Sequence, residues 1–142
     1  MGTPIKISEA ASIALHACIW LARDPDQYHA TREICAALAC SQSHLAKVVQ
    51  DLARARIIQS QRGPTGGIRL ANRPDQTTLR AVYEAVEGVI AQDDACLLPL
   101  PVCPGKSCVL GRALAQLRNQ FAHLLSTTTL ADLCNPTIQE NT

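Results

Sequence analysis

Aromatic side chains are scarce in this 142-residue chain: Trp20, Tyr28, Tyr83 and Phe121 make up 3% of it, and there is a single methionine. Apolar residues still reach 47%, so a core can form, but it must be built from Ala, Leu, Ile and Val. Such a composition favours helices over a sandwich or barrel. No run of eighteen apolar residues is present, and no charged-then-apolar leader opens the chain, so neither a membrane span nor secretion is expected and a cytoplasmic location is. No Ser/His/Asp set, Walker loop or metalloprotease histidine pair occurs, so an enzyme is not expected.

Net charge is also nearly missing, at +1 from 13 basic and 12 acidic residues. Its distribution is uneven. Residues 41–73 carry Lys47, Arg54, Arg56, Arg62, Arg69 and Arg73 against Asp51 alone, a local balance of +5 that leaves −4 on the remainder. Positive charge concentrated in one short block suits a polyanionic partner.

What the chain has in plenty is cysteine, seven in all. An odd number without a leader argues against a disulfide framework and for metal binding or redox chemistry. Cys18, Cys35 and Cys40 fall within apolar helical patterns and read as small buried residues, and Cys134 lies near the tail. Cys96, Cys103 and Cys108 instead cluster among Pro99, Pro101, Pro104 and Gly105.

The element pattern predicts a mainly α, winged helix-turn-helix fold. Ser8 can cap a helix over about 9–23, with Ile13, Ala17, Trp20 and Leu21 at apolar spacing, ended by Asp24-Pro25-Asp26. Thr31 is expected to cap a short helix carrying Ile34, Cys35 and Leu38, with a tight turn at Cys40-Ser41. A third helix over about 42–55 would bury Leu45, Val48, Val49 and Leu52. Two short helices so joined form a helix-turn-helix, the second placed for the major groove. Ile57–Arg62 and Ile68–Ala71 read as strands around Gly63-Pro64-Thr65-Gly66-Gly67, the two-stranded wing. Thr77 or Thr78 should cap a helix over 79–87 that ends at Gly88.

From Cys108 a long helix is expected to about Ser126, with Leu110, Leu114, Leu117, Phe121 and Leu124 at the period of helix-on-helix packing. A partner helix would bury that seam, and two-fold symmetry is the commonest arrangement, so a homodimer is expected. The division is then 1–90, a winged helix-turn-helix DNA-binding domain; 91–107, a cysteine-rich sensor loop; and 108–142, a dimerisation helix and tail.

On the exposed side of the third helix lie Ser41, Gln42, Ser43, His44 and Lys47, whose hydroxyl, amide, imidazole and ammonium groups suit base edges and phosphates of double-stranded operator DNA. Arg62, Thr65 and Arg69 belong to the wing, where arginine can enter a minor groove or grip phosphate. Cys96-x6-Cys103-x4-Cys108 offers three thiolates in a loop preset by proline. Soft thiolates select iron–sulfur clusters, zinc or copper(I), and three of them leave a fourth ligand to be found elsewhere.

The runs Ser43-His44-Leu45-Ala46-Lys47-Val48-Val49, Leu52-Ala53-Arg54-Ala55 and Arg62-Gly63-Pro64-Thr65-Gly66-Gly67-Ile68-Arg69-Leu70 resemble the bacterial winged-helix iron–sulfur regulators of the NsrR/IscR type. Cys108-Val109-Leu110-Gly111-Arg112-Ala113-Leu114 and Thr129-Leu130-Ala131-Asp132-Leu133 resemble the NsrR branch in particular. The resemblance implies a homodimeric transcription regulator, usually a repressor, whose operator affinity is controlled by a [2Fe-2S] or [4Fe-4S] cluster sensing nitric oxide, redox state or cluster supply. It further implies a fourth ligand from the first helix of the other subunit. Ser12 stands where an acidic ligand is found in that branch, so His16, one turn later, is ranked first and Glu9, two turns before His16, second. The cysteine spacings of six and four are less even than those common in the family, which leaves cluster nuclearity open. A thiol- or zinc-based redox regulator would share the fold and lack iron and sulfide. A small iron–sulfur electron carrier would explain the cysteines but not the basic hairpin, and would show no salt-dependent DNA affinity.

Overall fold

The computed structural model describes residues 7–90 and 108–134. The first helix, α1 (Glu9–Ala22), starts where expected: the Ser8 hydroxyl accepts from the Ala11 backbone N–H at 3.1 Å and also contacts the Glu87 carboxylate. Ala11, Ala14, Ala17 and Cys18 on its inner face are almost fully buried. Small side chains there let neighbouring backbones come close, and α1 becomes the central helix against which α2 (Thr31–Leu38), α3 (Gln42–Arg54), α4 (Leu79–Glu87) and α6 (Leu130–Cys134) pack.

The start of α2 differs from expectation. Thr31 is its first helical residue, and the N-cap is Ala30, which contributes no side-chain bond. The reason lies in tertiary structure: His29 and Ile68 exchange two backbone hydrogen bonds of 2.9 Å, which hold the chain extended until Ala30. α2 ends at Ala39 in the left-handed region, φ 51°, where the Cys40 N–H closes a bond of 3.2 Å to the Cys35 carbonyl. Ser41 then caps α3, its hydroxyl accepting from the His44 N–H at 3.2 Å. Leu45, Val48 and Leu52 are buried as expected, whereas Val49 is only half-buried.

Strands β1 (Ile58–Gln61) and β2 (Gly67–Leu70) form the antiparallel wing in the register Ile58 to Leu70 and Gln61 to Gly67. Ile58, Ile68 and Leu70 point into the core, while Ser60 and Gln61 stand in solvent. The paired glycines are sterically required: a Cβ on Gly66 would strike the Gln61 carbonyl, and one on Gly67, at φ +149°, the His29 carbonyl.

A short 3-10 turn (Pro74–Gln76) leads to α4, capped by Thr78 and stopped at Gly88 with φ +88°. The long helix α5 (Val109–Thr127) has Cys108 as its N-cap. Its C-terminal half packs inward: Leu125 joins Ala11, Tyr83 and Ile90 in a second small core, and Phe121 meets Tyr83 edge to face at 5.4 Å between centroids. Leu79 N–H to Thr128 O and Leu130 N–H to Thr77 O, both 2.9 Å, stitch the end of α5 to the start of α4. α6 then returns to α1 with Leu130 fully buried; at its start the Thr129 hydroxyl accepts from the Asp132 N–H at 3.3 Å, and the Asp132 carboxylate, held below the usual range by bonds from the Thr129 N–H and hydroxyl, reaches back to that residue. Val109, Leu110, Leu117 and Leu124 remain on the outer side of α5, between 48% and 72% exposed.

Gly67→Ala should destabilise the chain by about 1–3 kcal/mol through the clash with His29, read as a lowered midpoint of thermal or urea unfolding. Burial pushes the Cys18 thiol from its ordinary 9.0 up to about 12. The folded state thus keeps a proton that the unfolded state releases above pH 9.0, so stability present below that pH is lost progressively as pH rises towards 12. Between about pH 9 and about pH 10.5 the wild type should lose about 1.5 kcal/mol relative to Cys18→Ala in denaturant titrations; parallel pH profiles would exclude this assignment.

Candidate nucleic-acid interface and sensor residues

The candidate surface is built from the outer side of α3, a helix that packs against β1, and from the wing. Because Leu45, Val48 and Leu52 anchor the inner side of α3, Gln42, Ser43, Ala46, Lys47 and Gln50 must lie outside, and all five are exposed. The candidate contacts divide by what already occupies them. Ser41 is committed to capping, its hydroxyl also 3.2 Å from that of Ser43. His44 places Nδ1 3.4 Å from Glu9 Oε1 of α1, a contact between two exposed side chains. Gln42, Ser43 and Lys47 are open to solvent, as are Arg62 and Thr65 at the wing turn.

Arg69 is differently placed. Its guanidinium lies over the Tyr28 ring at 4.6 Å and donates to the Asp26 carbonyl at 3.1 Å, bracing the base of the wing against the α1–α2 loop. The basic block as a whole is thus partly spent inside the molecule. Arg54 pairs with Asp51 at 3.3 Å and Arg73 with Asp75 at 2.8 Å. Among the described residues no carboxylate pairs with Lys47, Arg56 or Arg62. Arg56 was not singled out in the sequence, yet it sits exposed between α3 and β1 at φ 59°, its carbonyl held by Asn72 at 3.3 Å. Its place in the basic run was the available signal; its left-handed backbone was not legible.

Of the proposed ligands, Cys96 and Cys103 lie outside the described residues. Cys108 is a free, half-buried thiol whose sulfur accepts the Gly111 N–H at 3.3 Å at the start of α5. Hydrogen bonds to sulfur and a helix N-terminus both suit a thiolate ligand. His16 is exposed on α1, and its Nδ1 donates to the Ser12 carbonyl at 2.7 Å. That bond leaves Nε2 with its lone pair outward, the arrangement in which histidines bind metals. Glu9 shares the same exposed stripe but faces His44. The donor chemistry of Cys108 and His16 therefore fits a cluster, although no group of three potential metal ligands comes together among the described residues. Cys40, expected to be buried, lies only half-buried at the core edge, because the turn that follows α2 brings it to the surface. No described helix is long and apolar enough to cross a membrane.

Comparison with known proteins agrees with this architecture. NsrR of Geobacillus kaustophilus, an HTH-type transcriptional regulator, is 33% identical over 137 residues, covering 91% of this chain and 89% of that protein. BadM of Rhodopseudomonas palustris, named as an HTH-type transcriptional regulator, is 40% identical over 84 residues, which span 59% of this chain and about half, 54%, of that protein. Among solved structures, CymR, the global cysteine regulator of Bacillus subtilis, superposes with a TM-score of 0.76 at 25% identity, covering 92% of this chain and 96% of CymR. T. potens IscR gives 0.77 at 19% identity, covering 97% and 93%, and speaks to fold alone. A family model described as an iron-dependent transcriptional regulator matches residues 7–136. The chain belongs to the Rrf2 family of DNA-binding transcription regulators.

Proposed function

We propose that this regulator represses transcription as a homodimer whose grip on operator DNA is set by an iron–sulfur cluster, [2Fe-2S] or [4Fe-4S]. The observation that carries the reading is the position of Cys108. It caps the same helix whose outer face exposes Leu110, Leu117 and Leu124 at seven-residue spacing, so a cluster ligand and a dimer seam share one rigid element. Cys96 and Cys103 would complete the thiolate set, with His16 from the first helix of the other subunit as fourth ligand and Glu9 as the weaker candidate. When bound, the cluster supplies iron reactive towards nitric oxide and oxidants. Ligation holds α5 against the winged helix and fixes the separation of the two α3 helices, which must match half-sites about one DNA turn apart. Loss of ligation frees that separation, and operator affinity falls.

At the DNA, Gln42, Ser43 and His44 reach base edges from the first turn of α3, while Ser41 holds that turn in shape. Lys47 and Arg62 contact phosphate, Thr65 lies at the wing tip, and Arg69 positions the wing through Tyr28 and Asp26. Lys47→Ala and Arg62→Ala should each weaken binding to operator and unrelated duplex alike and reduce the log–log salt slope by about 1 in anisotropy titrations; an unchanged slope removes that residue from the interface.

Anaerobically purified protein should contain iron and acid-labile sulfide and show visible charge-transfer absorption. Cys108→Ala should abolish that absorption, and His16→Ala should shorten its lifetime in air. Loaded and apo protein should differ in operator affinity by about 5- to 150-fold at matched salt. Equal affinities would refute cluster control, and zinc without sulfide would establish the thiol- or zinc-based regulator instead.

A further inference from the structure

Two thiols at the helix-turn-helix turn play no part in the reading above. The Cys40 N–H bonds the Cys35 carbonyl at 3.2 Å across the left-handed residue Ala39. In this type of helix ending the side chains of the two bonded residues meet over the last turn, and the contact is ordinarily apolar. Here both residues are cysteine. Cys35 is 8% exposed within the main core, and Cys40 packs half-buried at its edge; both are free thiols. Burial, and then the neighbouring Cys40 thiol, hold the Cys35 thiol above the usual range.

We propose that Cys35 and Cys40 form a reversible dithiol–disulfide couple, oxidised by hydroperoxides, in the turn that leads into α3. Cys40 is the more accessible and attacks first. Its thiolate takes the terminal peroxide oxygen, the O–O bond breaks, and the departing oxygen leaves as alcohol or water after protonation. The Cys40 sulfenic acid is then attacked by the Cys35 sulfur: the S–S bond forms, the S–O bond breaks, and hydroxide takes up the Cys35 proton as water. In total two thiols lose two electrons and two protons, and one hydroperoxide becomes one alcohol and one water.

The bond has a structural consequence. Disulfide sulfurs lie about 2.05 Å apart, which draws Cys40 onto Cys35. Ser41, the next residue, carries the cap and first turn of α3 with it. Operator affinity falls, a consequence that rests on the DNA-binding role of α3, whereas the couple itself does not.

Trypsin makes the test clean. Cleavage after Arg32 and Lys47 releases residues 33–47, a peptide holding Cys35, Cys40 and no other cysteine. The full chain, treated with hydrogen peroxide, unfolded, alkylated and digested, should yield this peptide unalkylated and two hydrogens lighter, and dithiothreitol should restore its alkylation. In Cys40→Ser, Cys35 should stay alkylatable. In a Cys96→Ser, Cys103→Ser, Cys108→Ser background, which holds no cluster, oxidation should weaken operator binding about tenfold, and the further change Cys40→Ser should abolish that loss. A wild-type peptide alkylated at both positions, or Cys40 bridged to any other cysteine, overturns the couple. A bridged peptide with unchanged operator affinity overturns its link to α3. Reduced wild type that binds no duplex would count against the functional reading alone, since the peptide map does not involve DNA.

Discussion

The burial of Leu45, Val48 and Leu52 against α1 is the constraint on which the rest of the molecule depends. Three side chains on one helical face fix the rotation of α3, and helical geometry then dictates what the opposite face offers. α1 makes this possible because alanines and Cys18, with little bulk, line its inner side. α2 fills the flank through Ile34, and the wing closes the other side through Ile58, Ile68 and Leu70. The outer face of α3 is thus the remainder of a packing problem, and its rigidity is that of the core.

Electrostatics acts on the surface this packing leaves. The basic block looks larger in sequence than in space, because Arg54 and Arg73 face carboxylates of neighbouring turns and Arg69 is spent on Tyr28 and Asp26. The cations that remain, Lys47, Arg56 and Arg62, span the outer side of α3, its exit and the wing turn. These cations are few, and the wing that carries Arg62 is braced by Arg69. Exposed pairs of this kind add little to stability; their value here is positional.

α5 faces two ways. Leu125 and Phe121 tie its end to α4 and α1, and the backbone bonds at Thr128 and Leu130 make that end part of the core. Its N-terminal half carries the Cys108 cap and an outer row of leucines. In the proposed dimer, an event at the sulfur is transmitted along a helix whose far end is already seated on the DNA-binding unit. The cysteine pair at the α2–α3 turn would act on α3 itself, closer to the DNA and without iron.

Much of the fold was legible in sequence because its signals are local. The Ser8 cap, the cap at Thr78, one of the two threonines expected, the stop at Gly88 and the paired glycines of the wing each express interactions spanning a few residues, and each stands where the sequence placed it; Ser41, expected only in the turn, caps α3, and Phe121, expected on the outer seam of α5, turns inward to Tyr83. The resemblance likewise rested on contiguous runs, and the family match bears it out. Tertiary structure alone decided the rest. Ala30 rather than Thr31 precedes α2 because Ile68, distant in sequence, holds His29 extended. Arg69 braces rather than projects because Tyr28 and Asp26 lie beneath it, Glu9 faces His44 because α1 and α3 cross there, and α5 turns its far end inward to meet Tyr83. Periodicity records which face of an element is apolar, but it carries no information on which distant side chain that face will meet.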